Sequence, residues 1–340
     1  MAAALAGAAT FAWREGFAAR KPPLPLVRPP RVRAGDLVGL IAPGGAMEDA
    51  QIERAVRNIE SMGLKVKTGA NIRLRRGNYA GTPQQQVDDF HAMVRDREVK
   101  AIWSGRGGSG SSLLLPLLDY PLIRAHAKVF VGLSDVTALH LAILRLAGVV
   151  TFHGPAGVST FSDYSMAYLR AAFMEPRASY TIANAPELRL RGESEPEYAE
   201  RTLTPGAATG PLIGGNLSVL TALVGTPYAA RMKDSVVFLE DVGEEPYRIN
   251  RMLTQLVQSG ELTRAAAVMF GACARCRTPP DEPALTLEET LRDRLEPLRV
   301  PAAMGLSFGH VAHHFTIPMG IRARFDASER TLTVLEPAVT

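Results

Sequence analysis

From residue 36 onward, short apolar runs alternate with longer segments in which apolar residues recur at helical spacing. Four runs in the first half have the length and composition of buried strands: 38–42, 99–103, 129–133 and 149–152. A helix after the first of them, capped by Gly63, is predicted by apolar residues three and four positions apart: Ile52, Ala55, Val56, Ile59 and Met62. A second helix is predicted over 136–146. This alternation is typical of βαβ units, so we predict a doubly wound α/β domain with a mainly parallel sheet over residues 36–183.

The second half of the chain shows a similar alternation with fewer clear strands. Strands are predicted at three apolar runs: 236–239, 266–270 and 331–335. An amphipathic helix that ends before Gly260 is marked by Ile249, Met252, Leu253, Leu256 and Val257. We therefore predict a smaller C-terminal α/β domain over residues 206–340. The stretch 184–205 is rich in proline, glycine and glutamate, which favours an exposed linker between the domains.

Residues 1–35 differ in composition from the rest of the chain. An alanine-rich apolar run at 2–13 precedes a proline-rich connector at 22–30, and neither has the pattern of a packed domain. The apolar run is too short to span a membrane. Its length fits a signal peptide, and Ala-Thr-Phe-Ala at 9–12 resembles a small-residue cleavage site, but the basic leader of such a peptide is missing. Two interpretations stay open: a remnant signal segment, which would indicate export, or a disordered extension.

Composition and charge narrow the classes of partner. Hydrophobic residues make up 46% of the chain and charged residues 21%, the balance of an ordinary globular protein. The net charge of +4 comes from 38 basic and 34 acidic residues, and no basic run with interleaved aromatic residues is present, so we predict no nucleic-acid partner. Cys273 and Cys276 are the two cysteines, too few for a disulfide framework, and they leave the redox compartment open.

Three residues that suit acyl-transfer chemistry follow apolar runs in different parts of the chain: Ser134, Glu240 and His310. In a catalytic triad the histidine takes the serine proton, and the carboxylate holds the imidazole in the required tautomer. Ser134 lies where a predicted strand meets a helix, at the end of an α/β sheet where ligands gather. The amide of Asp135 could face a developing oxyanion there.

Each of these residues also has a structural interpretation. Ser134 would cap its helix, Glu240 would lie at a solvated strand end, and His310 would be a packing or surface residue. Because side chains alternate along a strand, we expect one of Glu240 and Asp241 to point inward and the other toward solvent.

A glycine-rich loop at residues 104–110 also follows a predicted strand. Its glycines permit a close approach of the backbone to a ligand and present N–H groups, so the loop could supply a second oxyanion donor. The loop lacks the Gly-Lys-Ser/Thr ending of a phosphate-binding loop. A flexible turn is the alternative interpretation.

A zinc site is a rival interpretation of the C-terminal half. Cys273 and Cys276, together with His310, His313 and His314, offer ligands for a tetrahedral ion. No second cysteine pair or His-Glu-x-x-His helix accompanies them, and a single pair is more often structural. We therefore predict no metal.

A series of short motifs runs in order along most of the chain. In the N-terminal half they are Leu-Ile-Ala-Pro at 40–43, Arg-Gly-Gly at 106–108, Gly-Leu-Ser-Asp-Val-Thr-Ala-Leu at 132–139 and Thr-Phe-His-Gly-Pro at 151–155. In the C-terminal half they lie at 214–217, 225–227, 239–241, 305–310 and 318–320. By these motifs the chain resembles the LD-carboxypeptidase family of serine peptidases, which includes the microcin C immunity peptidases.

The resemblance implies an N-terminal flavodoxin-like domain, a C-terminal swivelling domain and a triad assembled between them. Ser134 would be the nucleophile, His310 the general base and then acid, and Glu240 the residue that orients the histidine. No metal or organic cofactor is implied.

The resemblance also assigns roles near the glycine-rich loop. The amide of Asp135, with that of Gly107 or Gly108, would form the oxyanion hole. Arg106 would bind a substrate carboxylate through its guanidinium group, or alternatively brace the loop.

The family reaction is hydrolysis of an amide between an L-centre and a D-amino acid, most often the terminal D-alanine of a murein tetrapeptide in cell-wall recycling. The resemblance thus implies a murein peptide as substrate and a cytoplasmic location, and the short apolar run at 2–13 predicts no stable membrane span. A periplasmic location is the alternative if the N-terminus is a truncated signal peptide, and a homodimer is compatible with the family. Two other functions stay open: an immunity-type peptidase acting on aminoacyl nucleotides, and a muropeptide-binding protein without turnover.

Two positions depart from the family pattern. Ser109 stands where members often carry an aromatic residue, and Gly44 stands where they carry serine or alanine. Loss of the ring at position 109 would open the pocket or remove a stacking contact. These departures bear on the choice of substrate rather than on the chemistry.

Overall fold

Strands and helices alternate along most of the chain, as the hydrophobic pattern predicts. The structure, a computed structural model, describes residues 24–278 and 283–340. Its strands, numbered along the chain, are β1 (Leu37–Ile41), β2 (Lys65–Thr68), β3 (Val99–Ser104), β4 (Val129–Gly132), β5 (Phe152–His153), β6 (Tyr180–Ile182), β7 (Arg201–Thr204), β8 (Ala207–Asn216), β9 (Val236–Glu240), β10 (Ala267–Gly271), β11 (Ala302–Leu306), β12 (Ile317–Pro318), β13 (Arg322–Asp326) and β14 (Thr331–Val334). Its α-helices are α1 (Asp49–Glu60), α2 (Pro83–Arg95), α3 (Ser111–Leu114), α4 (Tyr120–Ala125), α5 (Thr137–Leu146), α6 (Asp163–Leu169), α7 (Pro186–Gly192), α8 (Leu217–Ala222), α9 (Pro246–Gln258) and α10 (Leu287–Leu295).

The first sheet is mainly parallel and is built almost entirely from the first half of the chain. Its strand order is β2-β1-β3-β4-β5-β12, and the first five of these strands are parallel to their neighbours. The order 2-1-3-4-5 is that of flavodoxin-like folds, so the predicted class of the N-terminal region is confirmed. The sixth strand, β12, comes from the second half of the chain and pairs antiparallel with β5.

The second sheet combines parallel and antiparallel strands in the order β6-β14-β13-β8-β9-β10-β11-β7. Strands β8 to β11 are parallel to one another, and the strands on either side of them pair antiparallel. The protein is therefore a mixed α/β protein with two sheets, as predicted.

The clearest sequence patterns correspond to the most deeply buried elements. The predicted apolar stripe of α1 faces the core, where Ile52, Ala55 and Ile59 are buried. Strand β2 was not predicted, because its sequence Lys-Val-Lys-Thr is largely polar and it lies at the sheet edge, where charged side chains reach solvent. Strand β8 was also missed, since its glycines and proline resemble a turn.

The segment 184–205 is not the exposed connector that its composition favours. It contains α7 and β7, and β7 pairs antiparallel with β11 of the second sheet. The buried amide of Asn184 donates to the carbonyl of Gly305 and accepts from the N–H of Ser307, both at 2.9 Å. These long-range bonds, which local composition does not encode, attach the segment to the second sheet.

Strand pairing also departs from the predicted domain limits. Strand β6, which precedes residue 184, pairs with β14 in the second sheet, whereas β12 crosses back to the first. The second half of the chain therefore shares backbone hydrogen bonds with the first sheet.

The predicted N-terminal extension, residues 1–35, lies partly outside the described residues. Its described part, from residue 24, packs on the protein, contrary to expectation. The N–H of Val27 donates to Gly148 at 2.7 Å, and Val32 is fully buried. The N–H of Thr340 donates to the carbonyl of Pro29, which ties the C-terminal residue to this segment. Proline-rich backbone is extended, and extended backbone can pair with a neighbouring segment.

The sequence predicts no membrane span, and the helices of the structure can be compared with that expectation. Within residues 24–278 and 283–340, none of the helices combines the length and the apolar character that crossing a bilayer requires.

We predict that Asn184→Ala destabilises the protein, because the carbonyl of Gly305 and the N–H of Ser307 would both lose a buried partner. The expected loss in the free energy of unfolding is about 2 kcal/mol, measured by urea denaturation. Ser194→Ala is the control: this exposed residue lies in the same segment and its hydroxyl bonds locally to Arg191, so its loss should cost under about 0.5 kcal/mol. Equal, small effects of both substitutions would contradict an anchoring role for this segment.

Candidate active site

The candidate residues follow the carboxyl ends of parallel strands in both sheets. The glycine-rich loop follows β3 and Ser134 follows β4, whereas Glu240 ends β9 and His310 follows β11. These are the ends at which open α/β sheets bind ligands. The structure therefore divides the predicted triad between two sheets, with the serine on the first and the other two residues on the second.

A hydrogen bond across the interface connects the helix that follows Ser134 to the strand next to Glu240. The hydroxyl oxygen of Thr137, three residues after Ser134, accepts a bond of 2.9 Å from the backbone N–H of Asn216. Asn216 ends β8, where it is the register partner of Glu240 on β9. The turn that carries Ser134 is thus connected to the strand of Glu240 by this hydrogen bond and by the pairing of β8 with β9.

Ser134 has a strained backbone conformation. Its φ of 67° lies in the left-handed region, which non-glycine residues rarely adopt. Such strain at a sharp turn from strand to helix is characteristic of nucleophile elbows. No side chain caps the short 3₁₀ turn at Ser134–Val136 or the helix α5 that follows it, so the alternative interpretation of Ser134 as a helix N-cap is wrong.

The glycine-rich loop lies directly against Ser134. A Cβ atom added to Gly107 would lie 2.6 Å from the Cβ and 2.9 Å from the Oγ of Ser134, so this approach requires glycine. The carbonyl of Gly107 accepts a bond of 2.9 Å from the N–H of Gly45. Because a trans peptide directs its C=O and N–H to opposite sides, the N–H of Gly108 points away from Gly45.

Asp135 braces this loop with its side chain. Its Oδ2 accepts a bond of 2.8 Å from the N–H of Ser111, the first residue of α3, and the Ser111 hydroxyl donates to the carbonyl of Pro43 at 3.2 Å. Burial raises the pKa of Asp135, and the bonds from Ser111 oppose that shift. The sequence singled out the amide of Asp135 and missed this role of its carboxylate.

Glu240 and His310 form a hydrogen-bonded pair. The Nδ1 atom of His310 lies 2.7 Å from Oε2 of Glu240, which is fully buried. An ionised carboxylate only accepts hydrogen bonds, so Nδ1 carries the proton and Nε2 of the neutral ring is a free base. This is the tautomer that general-base catalysis requires.

Two opposing effects set the pKa of His310. Burial of the ring lowers it, but the charge of Glu240 and the hydrogen bond to it raise it more, so the pKa lies above its usual value of 6.5. The pair therefore contributes most to stability below that value, and this contribution is lost as the pH rises through the raised pKa.

Asp241 is buried as well, contrary to the expected alternation. Strand β9 ends at Glu240, so the two-residue period does not extend to the next side chain. The carboxylate of Asp241 accepts bonds from the N–H and hydroxyl of Ser218, at 2.9 and 2.7 Å, and from the side-chain amide of Asn216 at 3.1 Å. Burial and the neighbouring Glu240 raise its pKa.

A cavity of about 480 Å³ opens beside the glycine-rich loop. Its lining combines two guanidinium groups with polar and glycine residues: Gly45, Ala46, Arg75, Gly77, Asn78, Arg106, Gly108 and Ser109. Arg106 donates to the carbonyl of Ala46 at 3.3 Å, whereas Arg75 pairs with Glu48. Ser109 accepts a bond of 2.6 Å from the side-chain amide of Asn78, so its side chain makes this wall of the cavity polar.

Two buried histidines near the site were not assigned a catalytic or packing role from the sequence. His314 bonds through Nδ1 to the carbonyl of Gly309 at 2.9 Å, beside His310, and the ring of His153 stacks on it with centroids 5.7 Å apart. Burial lowers the pKa of His314 to about 4, so its ring is neutral. The sequence could not predict this stacking, because His153 and His314 come from opposite halves of the chain.

The two cysteines are bonded to each other. Cys273 and Cys276 form a disulfide in the loop after β10, so the interpretation of their sulfurs as zinc ligands is wrong. In the described part of the chain, no three His, Cys, Asp or Glu side chains lie close enough to hold a metal ion.

Comparison with protein families identifies the family of this chain. Residues 38–154 match the LD-carboxypeptidase N-terminal domain, and residues 209–325 match the LD-carboxypeptidase C-terminal domain. These segments cover more than half of the chain, which therefore belongs to the LD-carboxypeptidase family, a family of serine carboxypeptidases. The resemblance inferred from the motifs is confirmed, and the protein is an enzyme of the hydrolase class.

Individual relatives match over most of their length. The probable murein peptide carboxypeptidase of Bacillus subtilis is 36% identical over 318 residues, which cover 92% of this chain and 95% of that protein. The murein tetrapeptide carboxypeptidase of Pseudomonas aeruginosa is 30% identical over 285 residues, which cover 83% and 91%. The wild-type apo structure of the microcin C7 self-immunity protein MccF matches with a TM-score of 0.82 at 22% identity, over 92% of this chain and 100% of that one, and so shares the fold.

We predict that Glu240→Gln lowers the pKa of His310 to below 6.5, because the substitution removes the negative charge and leaves the effect of burial. Titration of the His310 ring followed by NMR measures this shift. Glu245→Gln, five residues away, is the control and should leave the titration unchanged. A pKa of His310 unaffected by Glu240→Gln would contradict the pairing.

Proposed function

We propose that this protein is a serine-type LD-carboxypeptidase that releases the terminal D-alanine of murein tetrapeptides through Ser134, His310 and Glu240. The bond of 2.7 Å between His310 and the buried Glu240 carries the proposal, since it orients a neutral imidazole as a base. The strained turn at Ser134 and the names of the two bacterial relatives at 36% and 30% identity support it.

In the first half of the reaction, Oγ of Ser134 attacks the carbonyl carbon of the amide between the L-centre and D-alanine. His310 takes the hydroxyl proton at Nε2 as the new C–O bond forms, and Glu240 stabilises the resulting imidazolium. The imidazolium then gives this proton to the nitrogen of D-alanine as the C–N bond breaks. D-alanine leaves, and the rest of the peptide stays bound as an ester of Ser134.

In the second half, a water molecule gives a proton to His310 and attacks the ester carbonyl. The imidazolium returns the proton to Oγ of Ser134 as the ester bond breaks, so the free enzyme is restored with one amide hydrolysed. Every step uses side chains of this chain and water.

The negative charge on the carbonyl oxygen is stabilised by backbone amides in this mechanism. The amide of Asp135 follows the nucleophile directly, and Gly107 lies against Ser134, so the amide of Gly107 or Gly108 is the second donor. Each such donor is worth about 3 kcal/mol in acyl transfer. The bond from Ser111 to the side chain of Asp135 supports the same turn.

Two features bear on the substrate and the location of the enzyme. The half-buried Arg106 in the cavity is suited to the terminal carboxylate of the peptide, because its main bond in the protein goes to a neutral carbonyl. We propose a cytoplasmic enzyme of murein recycling. A periplasmic enzyme is the alternative, and the disulfide between Cys273 and Cys276 fits an oxidising compartment.

We predict that Ser134→Ala and His310→Ala each lower the release of D-alanine by about 10⁴-fold or more, with a double variant no worse than either, since the triad acts as a unit. The substrate is purified L-Ala-γ-D-Glu-meso-diaminopimelate-D-Ala, and free D-alanine is measured with and without a chelator. Circular dichroism checks that the variants are folded.

Different results would separate the alternatives. Residual activity of the Ser134→Ala variant near that of the wild type would contradict its role as nucleophile. A folded wild type that cleaves an aminoacyl sulfamoyl adenosine but not the tetrapeptide would instead indicate an immunity-type peptidase. Binding of the tetrapeptide without any turnover would indicate a muropeptide-binding protein.

We predict that Arg106→Ala raises the KM for the tetrapeptide by about tenfold or more, because a charge-assisted bond to the substrate carboxylate is lost. Arg75→Ala is the control in the same cavity, since the pairing with Glu48 already neutralises that guanidinium group. Unchanged KM and turnover of the Arg106→Ala variant would show that this residue only braces the loop.

A further inference from the structure

The division of the proposed triad between two sheets creates a problem of alignment. Ser134 belongs to the turn after β4, whereas Glu240 and His310 are held together within the second sheet. A displacement of about 1 Å between reacting groups can cost about 100-fold in rate. Some contact must therefore fix the position of one sheet relative to the other near the site.

The bond between Thr137 and Asn216 lies where such a contact is needed. Thr137 begins α5, and its hydroxyl oxygen accepts the backbone N–H of Asn216 at 2.9 Å. Thr137 is completely buried and Asn216 is 5% exposed, so solvent does not compete for this bond. One partner is three residues from Ser134, and the other pairs with Glu240 in the sheet.

Asn216 is itself held in place by its side chain. Its amide nitrogen donates to Asp241 at 3.1 Å, and its amide oxygen accepts the N–H of Val219, which caps α8. Asp241 is held in turn by the N–H and hydroxyl of Ser218. The hydroxyl oxygen of Thr137 therefore accepts its bond from an N–H group, that of Asn216, which the second sheet holds in a fixed position.

Gly215, the residue before Asn216, allows β8 to approach Thr137 closely. A Cβ atom added to Gly215 would lie 2.5 Å from both Oγ1 and Cγ2 of Thr137, so any other residue would push the two sheets apart. The φ of Gly215 is +136°, a conformation that other residues rarely adopt. Thr137 thus contacts β8 through both its hydroxyl and its methyl group.

We propose that Thr137 is a positioning residue whose hydroxyl sets the placement of Ser134 relative to the Glu240–His310 pair. The proposal rests on the triad described above. Thr137 acts through the backbone of Asn216 and has no contact with the reacting atoms. We expect its effect in the chemical step, since Arg106 and the other residues that line the cavity proposed for the peptide belong, like Ser134, to the part of the chain that forms the first sheet.

The test compares Thr137→Val, which keeps the shape and loses the hydroxyl, with Thr137→Ser, which keeps the hydroxyl. In the tetrapeptide assay we expect Thr137→Val to lower kcat by about 10- to 100-fold with KM within about twofold. Thr137→Ser should restore most of the lost rate. The acidic limb of the pH profile should not move in either variant, because the bond between Glu240 and His310 lies within the second sheet.

Two controls separate positioning from general destabilisation. Thermal unfolding is measured for every variant, and Leu291→Val, a substitution in the buried face of α10, provides a destabilised protein that should keep its kcat. Thr137→Ala is used if Thr137→Val does not fold, since it also removes the hydroxyl without placing a methyl group against the N–H of Asn216.

Several results would overturn the proposal. These are a wild-type kcat in the variants that lack the hydroxyl, an equal loss in Thr137→Ser, or a loss of kcat in Leu291→Val that matches its loss of stability. A wild type that cleaves neither the tetrapeptide nor an aminoacyl sulfamoyl adenosine would overturn the proposed triad instead, and the role of Thr137 with it.

Discussion

The close approach of the two sheets is the constraint on which the candidate site depends. Neither sheet carries all of the residues: the strained serine and the glycine-rich loop lie on one, and the buried acid and its histidine lie on the other. At the contact, Gly215 leaves no room for a Cβ atom against Thr137, and β12 returns from the second half of the chain to pair with β5. Because protein interiors are close-packed, a shift of one sheet is transmitted to the other. The geometry of the site is therefore a property of the interface.

Within the second sheet, two neighbouring carboxylates are stabilised in different ways. A buried carboxylate is costly unless it is paired or hydrogen-bonded. Glu240 meets this requirement with a titratable base, His310, whereas Asp241 meets it with neutral donors from Ser218 and Asn216. Of the two, Glu240 is the one that bonds to the imidazole and so orients it, whereas Asp241 affects the pKa of His310 only through its charge. Asp241 instead holds the end of β8 in place, which is a structural task performed next to the reacting groups.

Much of the fold and the residues of the candidate site followed from local patterns. Central strands β1 and β4 are apolar on both faces, β3 is apolar apart from the exposed Lys100 and its last residue Ser104, and α1 and α9 carry a clear apolar stripe. The burial of these elements could therefore be predicted from the sequence. Elements without that signature were missed. β2 is polar because it is an edge strand, and β8 contains the glycines that the interface requires.

The sequence by itself determined which elements form and which residues are chemically able to act, because hydrophobic periodicity and residue type are local properties. Ser134, Glu240 and His310 could each be singled out in this way. Only the tertiary structure decided that Glu240 meets His310, that Asp241 and Asn184 are buried, that residues 24–35 pack on the protein, and that Thr137 reaches Asn216. These contacts join residues far apart in the chain, and the free energy that favours them comes from burial and hydrogen bonding that exist only once both sheets have formed.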